Sequence, residues 1–154
     1  LEDIEKVAAS SQYEGLVVVD EAYVDFSDKG SAVSLIAKYP NVVVLQTLSK
    51  AFGLAGIRCG FAIASPDVIQ LMNNVKAPYN INKLTSEVAI NALKSIETME
   101  KNISLILSER EVVAKKLEAF DFVVQVFPSD SNFLLFRLKA KAQEIYKTVS
   151  KIVL

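Results

Sequence analysis

Two short aliphatic runs, LVVV at residues 16–19 and VVVL at residues 42–45, limit the folds open to this chain more than any other feature. Neither alternates with polar residues, so each reads as a strand buried on both faces, the pattern of a parallel sheet covered on two sides. Between them, Ala32 to Tyr39 carries Val33, Leu35 and Ile36 on what reads as one face of a short helix, stopped by Pro40. Strand, helix, strand in that order is a βαβ unit, whose strands run parallel and whose crossover is right-handed. The chain is therefore read as α/β. Open sheets of this kind take ligands outside the carboxyl ends of their strands, so the residues after each run are the candidates for function.

The first run ends in Asp20, with Tyr23 three residues on, in the string VVVDEAYVDF. The second leads into TLSKAFGLAGIRCG, Thr47 to Gly60. A lone loop lysine is usually a solvated charge, and glycines usually serve turn geometry. Here, however, the hydroxyls of Thr47 and Ser49, the amine of Lys50, three glycines and Arg58 all follow a buried strand within fourteen positions. Such a set fits pyridoxal 5'-phosphate. That cofactor needs a lysine amine for its aldehyde, a carboxylate to hold the proton on its ring nitrogen, and hydroxyls with an arginine for its phosphate.

The same strings carry a family resemblance. VVVDEAYVDF followed by TLSKAFGLAGIRCGFAIA, with APYNIN at Ala77 to Asn82, resembles the aminotransferases of fold type I and most closely the histidinol-phosphate aminotransferases. The resemblance implies part of the large domain of the PLP-dependent transferases (aspartate aminotransferase-like), with a mixed, mostly parallel sheet. A long connecting helix and the start of an α+β small domain would follow. Residues 1–96 would be the C-terminal half of the cofactor-binding large domain, and residues 97–154 the connecting helix with the first part of the small domain.

By the same resemblance Lys50 is the catalytic lysine and the covalent anchor of the cofactor. Asp20 faces the ring nitrogen, Tyr23 the phenolate oxygen, and Thr47, Ser49 and Arg58 the phosphate. The implied reaction exchanges histidinol phosphate and 2-oxoglutarate with imidazole acetol phosphate and glutamate, in histidine biosynthesis, and the family acts as homodimers. Family members are longer. The glycine loop, the stacking aromatic residue and the asparagine of the cofactor site lie upstream of this segment in them, and the substrate-binding arginines lie downstream; Arg137 matches none of these and is read as structural. The chain is thus expected to be partial and inactive alone. Another fold type I aminotransferase, aromatic or broad in specificity, and a non-catalytic fragment are the alternative readings.

Composition narrows the remaining classes. A net charge of -1 with 51% hydrophobic residues implies neither nucleic acid nor an anionic membrane as partner. No apolar run is long enough to span a bilayer and no signal peptide is recognisable, so a soluble, cytoplasmic protein is expected. The single cysteine, Cys59, excludes an internal disulfide framework and reads as a packing residue. The absence of histidine removes the usual serine and cysteine triads and weakens any zinc reading, so no metal is expected. Proton transfer then falls to lysine, carboxylates or tyrosine. The first residue, Leu1, suggests a processed or excised piece.

The rest of the chain reads as follows. A first helix runs from Leu1 to near Gln12. GFAIA, residues 60–64, is a third strand, too close in sequence to the second to be its parallel neighbour. Ser65 and Pro66 open a helix to Val75, and residues 76–82 are irregular. Helices are expected over Leu84 to Lys94 and Glu97 to Phe120, strands over Phe122 to Phe127 and Asn132 to Leu138, and a last helix over Ala140 to Val149. Uncovered strand edges would favour association.

Overall fold

The computed structural model describes residues 1–153. Its elements are α1 (Glu2–Ala8), β1 (Val17–Asp20), β2 (Val42–Thr47), β3 (Gly60–Ile63), α2 (Pro66–Val75), α3 (Lys83–Lys94), α4 (Ile96–Glu118), β4 (Val123–Val126), β5 (Phe136–Leu138) and α5 (Ala142–Val153). Short 3-10 turns occupy Val24–Phe26, Ala32–Leu35 and Ala55–Ile57. The chain divides into two compact units, Leu1–Ile103 and Ser104–Leu154. No helix among the described residues is long and apolar enough to cross a membrane.

In the first unit the sheet runs β1-β2-β3, with β1 parallel and β3 antiparallel to β2. The sheet is mixed, as expected: the loop from Thr47 to Gly60 packs on a small core of its own instead of forming a crossover helix, and β3 returns antiparallel. β2 is the central strand and is buried on both faces, with Val42 and Val44 at 0% exposure and Val43 at 4%. Val42 and Val44 enclose Ala8 of α1 and Ala32 of the crossover, and Ile4, Val17, Val19, Val33, Leu35 and Ile36 pack around them.

β1 departs from the sequence reading. Its burial alternates along the strand, and Val18 is 57% exposed. An unbroken aliphatic run records that both faces are apolar, not that both are covered, and β1 is the outer strand of the sheet among the described residues. The contrast is measurable. Val44→Ala is expected to cost roughly 2 kcal/mol or more, from lost burial and the cavity left behind, while Val18→Ala should stay within about 0.5 kcal/mol; urea denaturation of the two variants compares them directly.

The crossover also differs. Residues 32–39 form a 3-10 turn and one wider closing turn rather than a helix, with Ser31 capping the start through the Val33 amide at 3.1 Å and Tyr39 N donating to Leu35 O at 2.8 Å. Pro40, which disfavours helical backbone at Tyr39, and the branched Val33 and Ile36 lower the helix propensity of this stretch. Likewise α1 stops at Ala8 rather than near Gln12, since the Ser10 hydroxyl accepts the Gln12 amide and draws the chain into a turn. α1 is tied to the crossover by Glu5, whose Oε1 accepts from Lys38 Nζ at 2.7 Å and Tyr39 Oη at 2.9 Å. The Lys38 hydrogen bond first, then that of Tyr39, holds the Glu5 carboxyl below its ordinary range. A depressed acid stabilises above its unfolded pKa and loses that contribution as pH falls through the folded one, so this tie should weaken as pH falls into the acid range.

α2 begins as expected with Pro66 in its first turn, although Ser65 at the N-cap makes no side-chain bond. Its apolar stripe is covered only at the start: Val68 and Ile69 are half-buried, while Leu71 is 66% and Val75 86% exposed. α3 is capped by Asn82, whose side chain accepts the Thr85 amide at 2.9 Å.

In the second unit β4 and β5 form an antiparallel pair, with a register shift between Val123 and Gln125. β5 is shorter than the strand read over Asn132 to Leu138. Ser129 and Ser131 take up the Phe133 carbonyl at 2.6 and 3.3 Å, and Arg110 Nη1 holds the Ser131 carbonyl at 2.7 Å, so these residues turn rather than extend. An open apolar groove of about 570 Å3 is lined by Phe136, Leu138, Ile145, Tyr146 and Val149.

Candidate active site

The register of the parallel pair decides where the candidate residues gather. Val17 stands beside Val42 and Asp20 beside Leu45, so β1 ends at Asp20 while β2 runs on two residues to Thr47 on the same edge. Beyond β1 the backbone turns at once. Asp20 Oδ1 accepts the Ala22 amide at 3.0 Å, and the Glu21 amide still donates to Leu45 O at 2.8 Å. Phe26, 3% exposed, anchors the following 3-10 turn, and the Tyr23 ring leans on it with centroids 6.4 Å apart. This holds Tyr23 at the edge, where Lys50 Nζ lies 5.2 Å from the ring centroid. That is cation–π range.

Beyond β2 the loop has a small core of its own. Leu48 at 2% and Cys59 at 7% exposure pack with Ala89 of α3, and Phe52, Leu54 and Ile57 close around them. Burying Leu48 leaves Lys50 exposed, outside the loop core. Thr47 Oγ1 donates to Ser49 Oγ at 2.9 Å and accepts the Ser49 amide at 3.1 Å, and the Cys59 carbonyl lies 3.3 Å from the same hydroxyl. Thr85 of α3 reaches the Ile57 carbonyl at 3.3 Å. Cys59 is thus a packing residue, as its sequence context suggests.

Arg58 adopts the left-handed conformation, φ 53° and ψ 46°, an uncommon choice for a residue with a Cβ. Its Nη1 donates to the Ala55 carbonyl at 3.2 Å, so the guanidinium rests on its own loop. Of the six expected residues, the structure pairs Lys50 with Tyr23 and Thr47 with Ser49, and sets Asp20 on the same strand edge. Arg58 sits one residue before Cys59, whose carbonyl touches Thr47, with its charged end exposed and turned back on the loop.

Sequence reasoning missed Glu21. Although charged, it is only 9% exposed and accepts from Ser31 Oγ at 2.6 Å, Ala32 N at 2.6 Å and Gln46 Nε2 at 2.9 Å. Its place directly after the aliphatic run of β1 in VVVDEAYVDF marks its position but not its burial, which depends on partners distant in sequence. Gly60, one of the three loop glycines and the first residue of β3, has a specific duty. A Cβ there would meet the Gln46 carbonyl at 2.9 Å, directly beside Thr47, its partner in the antiparallel register. Gly60→Ala should therefore push β3 from β2 and cost about 1–3 kcal/mol, a value that thermal unfolding reads.

The model of aminotransferase class I and II matches residues 1–153. The chain belongs to that family. Among curated aminotransferases, the histidinol-phosphate aminotransferase of Parabacteroides distasonis is 49% identical over 139 residues, covering 90% of this chain and 40% of that protein. The chain thus spans about two-fifths of the length of the curated relatives it matches. Among solved structures, the histidinol-phosphate aminotransferase of Clostridium acetobutylicum superposes with a TM-score of 0.86 at 26% identity, over 96% of this chain and 46% of that one. The Sinorhizobium meliloti histidinol-phosphate aminotransferase, solved in complex with pyridoxal-5'-phosphate, gives 0.80 at 25% identity, over 97% of this chain and 41% of that one.

Proposed function

We propose that the shared edge of β1 and β2 binds pyridoxal phosphate in an aminotransferase that interconverts histidinol phosphate and 2-oxoglutarate with imidazole acetol phosphate and glutamate. The observation that carries this reading is the placement of Lys50 over the Tyr23 ring at the edge where Asp20 and Thr47 end parallel strands. The donor set suits the cofactor's chemistry: an exposed amine, a phenol, a carboxylate, and a pair of hydroxyls with an arginine one residue from their carbonyl partner. The 49% identity to a curated histidinol-phosphate aminotransferase favours that substrate over an aromatic amino acid.

When bound, the cofactor supplies an electron sink for the bond electrons at the substrate Cα. The residues of this chain do the rest. Lys50 would hold the cofactor through its Nζ and, displaced by the substrate amine, would take the proton from the substrate Cα as general base and deliver it as general acid to the cofactor carbon that bore the aldehyde, not back to Cα. Asp20 holds the proton on the ring nitrogen by its negative charge. Tyr23 donates its hydroxyl proton to the phenolate oxygen. Thr47 and Ser49 offer hydroxyls to the phosphate, and Arg58 adds its charge by leaving the Ala55 carbonyl.

On this reading residues 1–96 are the C-terminal half of the cofactor-binding domain, and residues 97–154 are the connecting helix and the first part of the small domain. The complete enzyme works as a homodimer in the cytoplasm. A segment spanning two-fifths of its relatives should bind the cofactor without turning over substrate. Absorbance titration with pyridoxal phosphate, followed by an assay with histidinol phosphate and 2-oxoglutarate, tests both halves. Saturable binding with no product is the expected result; absence of binding would contradict the site, and Lys50-dependent product would contradict the partial character of the segment.

A further inference from the structure

Resting on the reading of this edge as a pyridoxal phosphate site, we propose that Glu21 is the positioning residue that fixes Asp20 and Tyr23 relative to Lys50. Its carboxylate joins three separate segments. Oε2 accepts from Ser31 Oγ at 2.6 Å and from Gln46 Nε2 at 2.9 Å, and Oε1 accepts the Ala32 amide at 2.6 Å. Its own amide donates to Leu45 O at 2.8 Å, and its carbonyl accepts the Val24 amide at 3.1 Å. Side chain and backbone together pin the end of β1 to the end of β2 and to the first turn of the crossover.

The residues on either side are those the site needs. Asp20 directly precedes Glu21 and Tyr23 follows two residues later; Thr47 directly follows Gln46, and Lys50 comes three residues after that. The Tyr23 ring and Lys50 Nζ, 5.2 Å apart, therefore stand on two arms of one clamp. Ser31, the third partner, also caps the crossover turn through the Val33 amide, and Gln46 Nε2 lies 3.4 Å from its hydroxyl, so the clamp is itself braced. A carboxylate only accepts hydrogen bonds, which obliges Gln46 to present its amide N–H and fixes the direction of every bond in the group. An apolar side chain would fill the same space without the desolvation that a buried charge suffers. The charge earns its place by geometry.

Glu21→Gln keeps the size of the side chain but turns one acceptor into a donor facing the Ser31 hydroxyl and Gln46 amide, or the Ala32 amide. Gln46→Met removes one of the three bonds and keeps the shape. In the full 154-residue chain without cofactor, the rate at which methyl acetimidate modifies Lys50, read by peptide mass spectrometry, reports how well the Tyr23 ring covers the amine. Losing a cation–π contact should raise that rate roughly two- to fivefold in Glu21→Gln, and by less in Gln46→Met. Pyridoxal phosphate should bind Glu21→Gln about tenfold more weakly, with a displaced pH titration of the bound cofactor's absorbance. A purely structural Glu21 would lower thermal stability and leave Lys50 reactivity and the pH titration unchanged in the folded variants; that outcome overturns the proposal. If Glu21→Gln does not fold, Gln46→Met decides alone, an unchanged Lys50 rate overturning the proposal and a raised one supporting it. Failure of the unmodified chain to bind pyridoxal phosphate, together with a raised Lys50 rate in the variants, would reject the cofactor site and leave the positioning role standing.

Discussion

Lys50→Ala is expected to release pyridoxal phosphate under dialysis conditions in which the unmodified chain retains it. With the amine gone, only the noncovalent partners remain: the Asp20 carboxylate, the Tyr23 phenol, the Thr47 and Ser49 hydroxyls and Arg58. An apparent affinity loss of at least about 100-fold, close to 2.7 kcal/mol, is the expected scale. The result will not be confounded by unfolding. Lys50 is exposed and the loop core is formed by Leu48, Cys59 and Ala89 rather than by the lysine, so the substitution should change stability by no more than about 0.5 kcal/mol. Equilibrium dialysis paired with circular dichroism separates the two effects, and full retention of cofactor by a folded Lys50→Ala chain would remove the lysine from the site.

The second large effect is expected at Asp20. Its Oδ1 accepts the Ala22 amide at 3.0 Å, a bond that the amide oxygen of asparagine can also accept. Asp20→Asn therefore keeps the turn that carries Tyr23 while deleting the charge. A charge-assisted hydrogen bond contributes about 1.5–3 kcal/mol, so pyridoxal phosphate should bind ten- to one-hundredfold more weakly. The absorbance titration that measures this also tests the role assigned to the carboxylate, since unchanged binding would mean that Asp20 serves only its own turn.

How far the sequence led can be judged from the two strands. Val42 to Val44 are buried on both faces, as an unbroken aliphatic run suggests, but the same pattern at β1 leaves Val18 open. Coverage is a property of neighbours, and a periodicity of one strand carries no information about them. The apolar stripe of α2 was legible for the same reason that its exposure was not. The apolar spacing of the 32–39 segment suits a helix, while Pro40 and the branched Val33 and Ile36 work against one.

At the site, Lys50 and Tyr23 were legible because each follows its strand within a few residues, and parallel register brings the strand ends together without further information. Arg58 was legible as a cation but not as a direction, because its left-handed backbone and its bond to Ala55 belong to the folded loop. Glu21 was illegible as a buried group because its partners lie 10, 11 and 25 residues away. Local sequence gives a carboxylate no means to announce distant donors.

The central claim is that the edge of β1 and β2 organises pyridoxal phosphate around one lysine. Incubating the unmodified chain with the cofactor, reducing with borohydride and mapping the modified peptides tests it most directly. The expected result is one label per chain, confined to the peptide that contains Lys50. Labels spread over exposed lysines such as Lys76, Lys83 and Lys94, with no excess at Lys50, would contradict it.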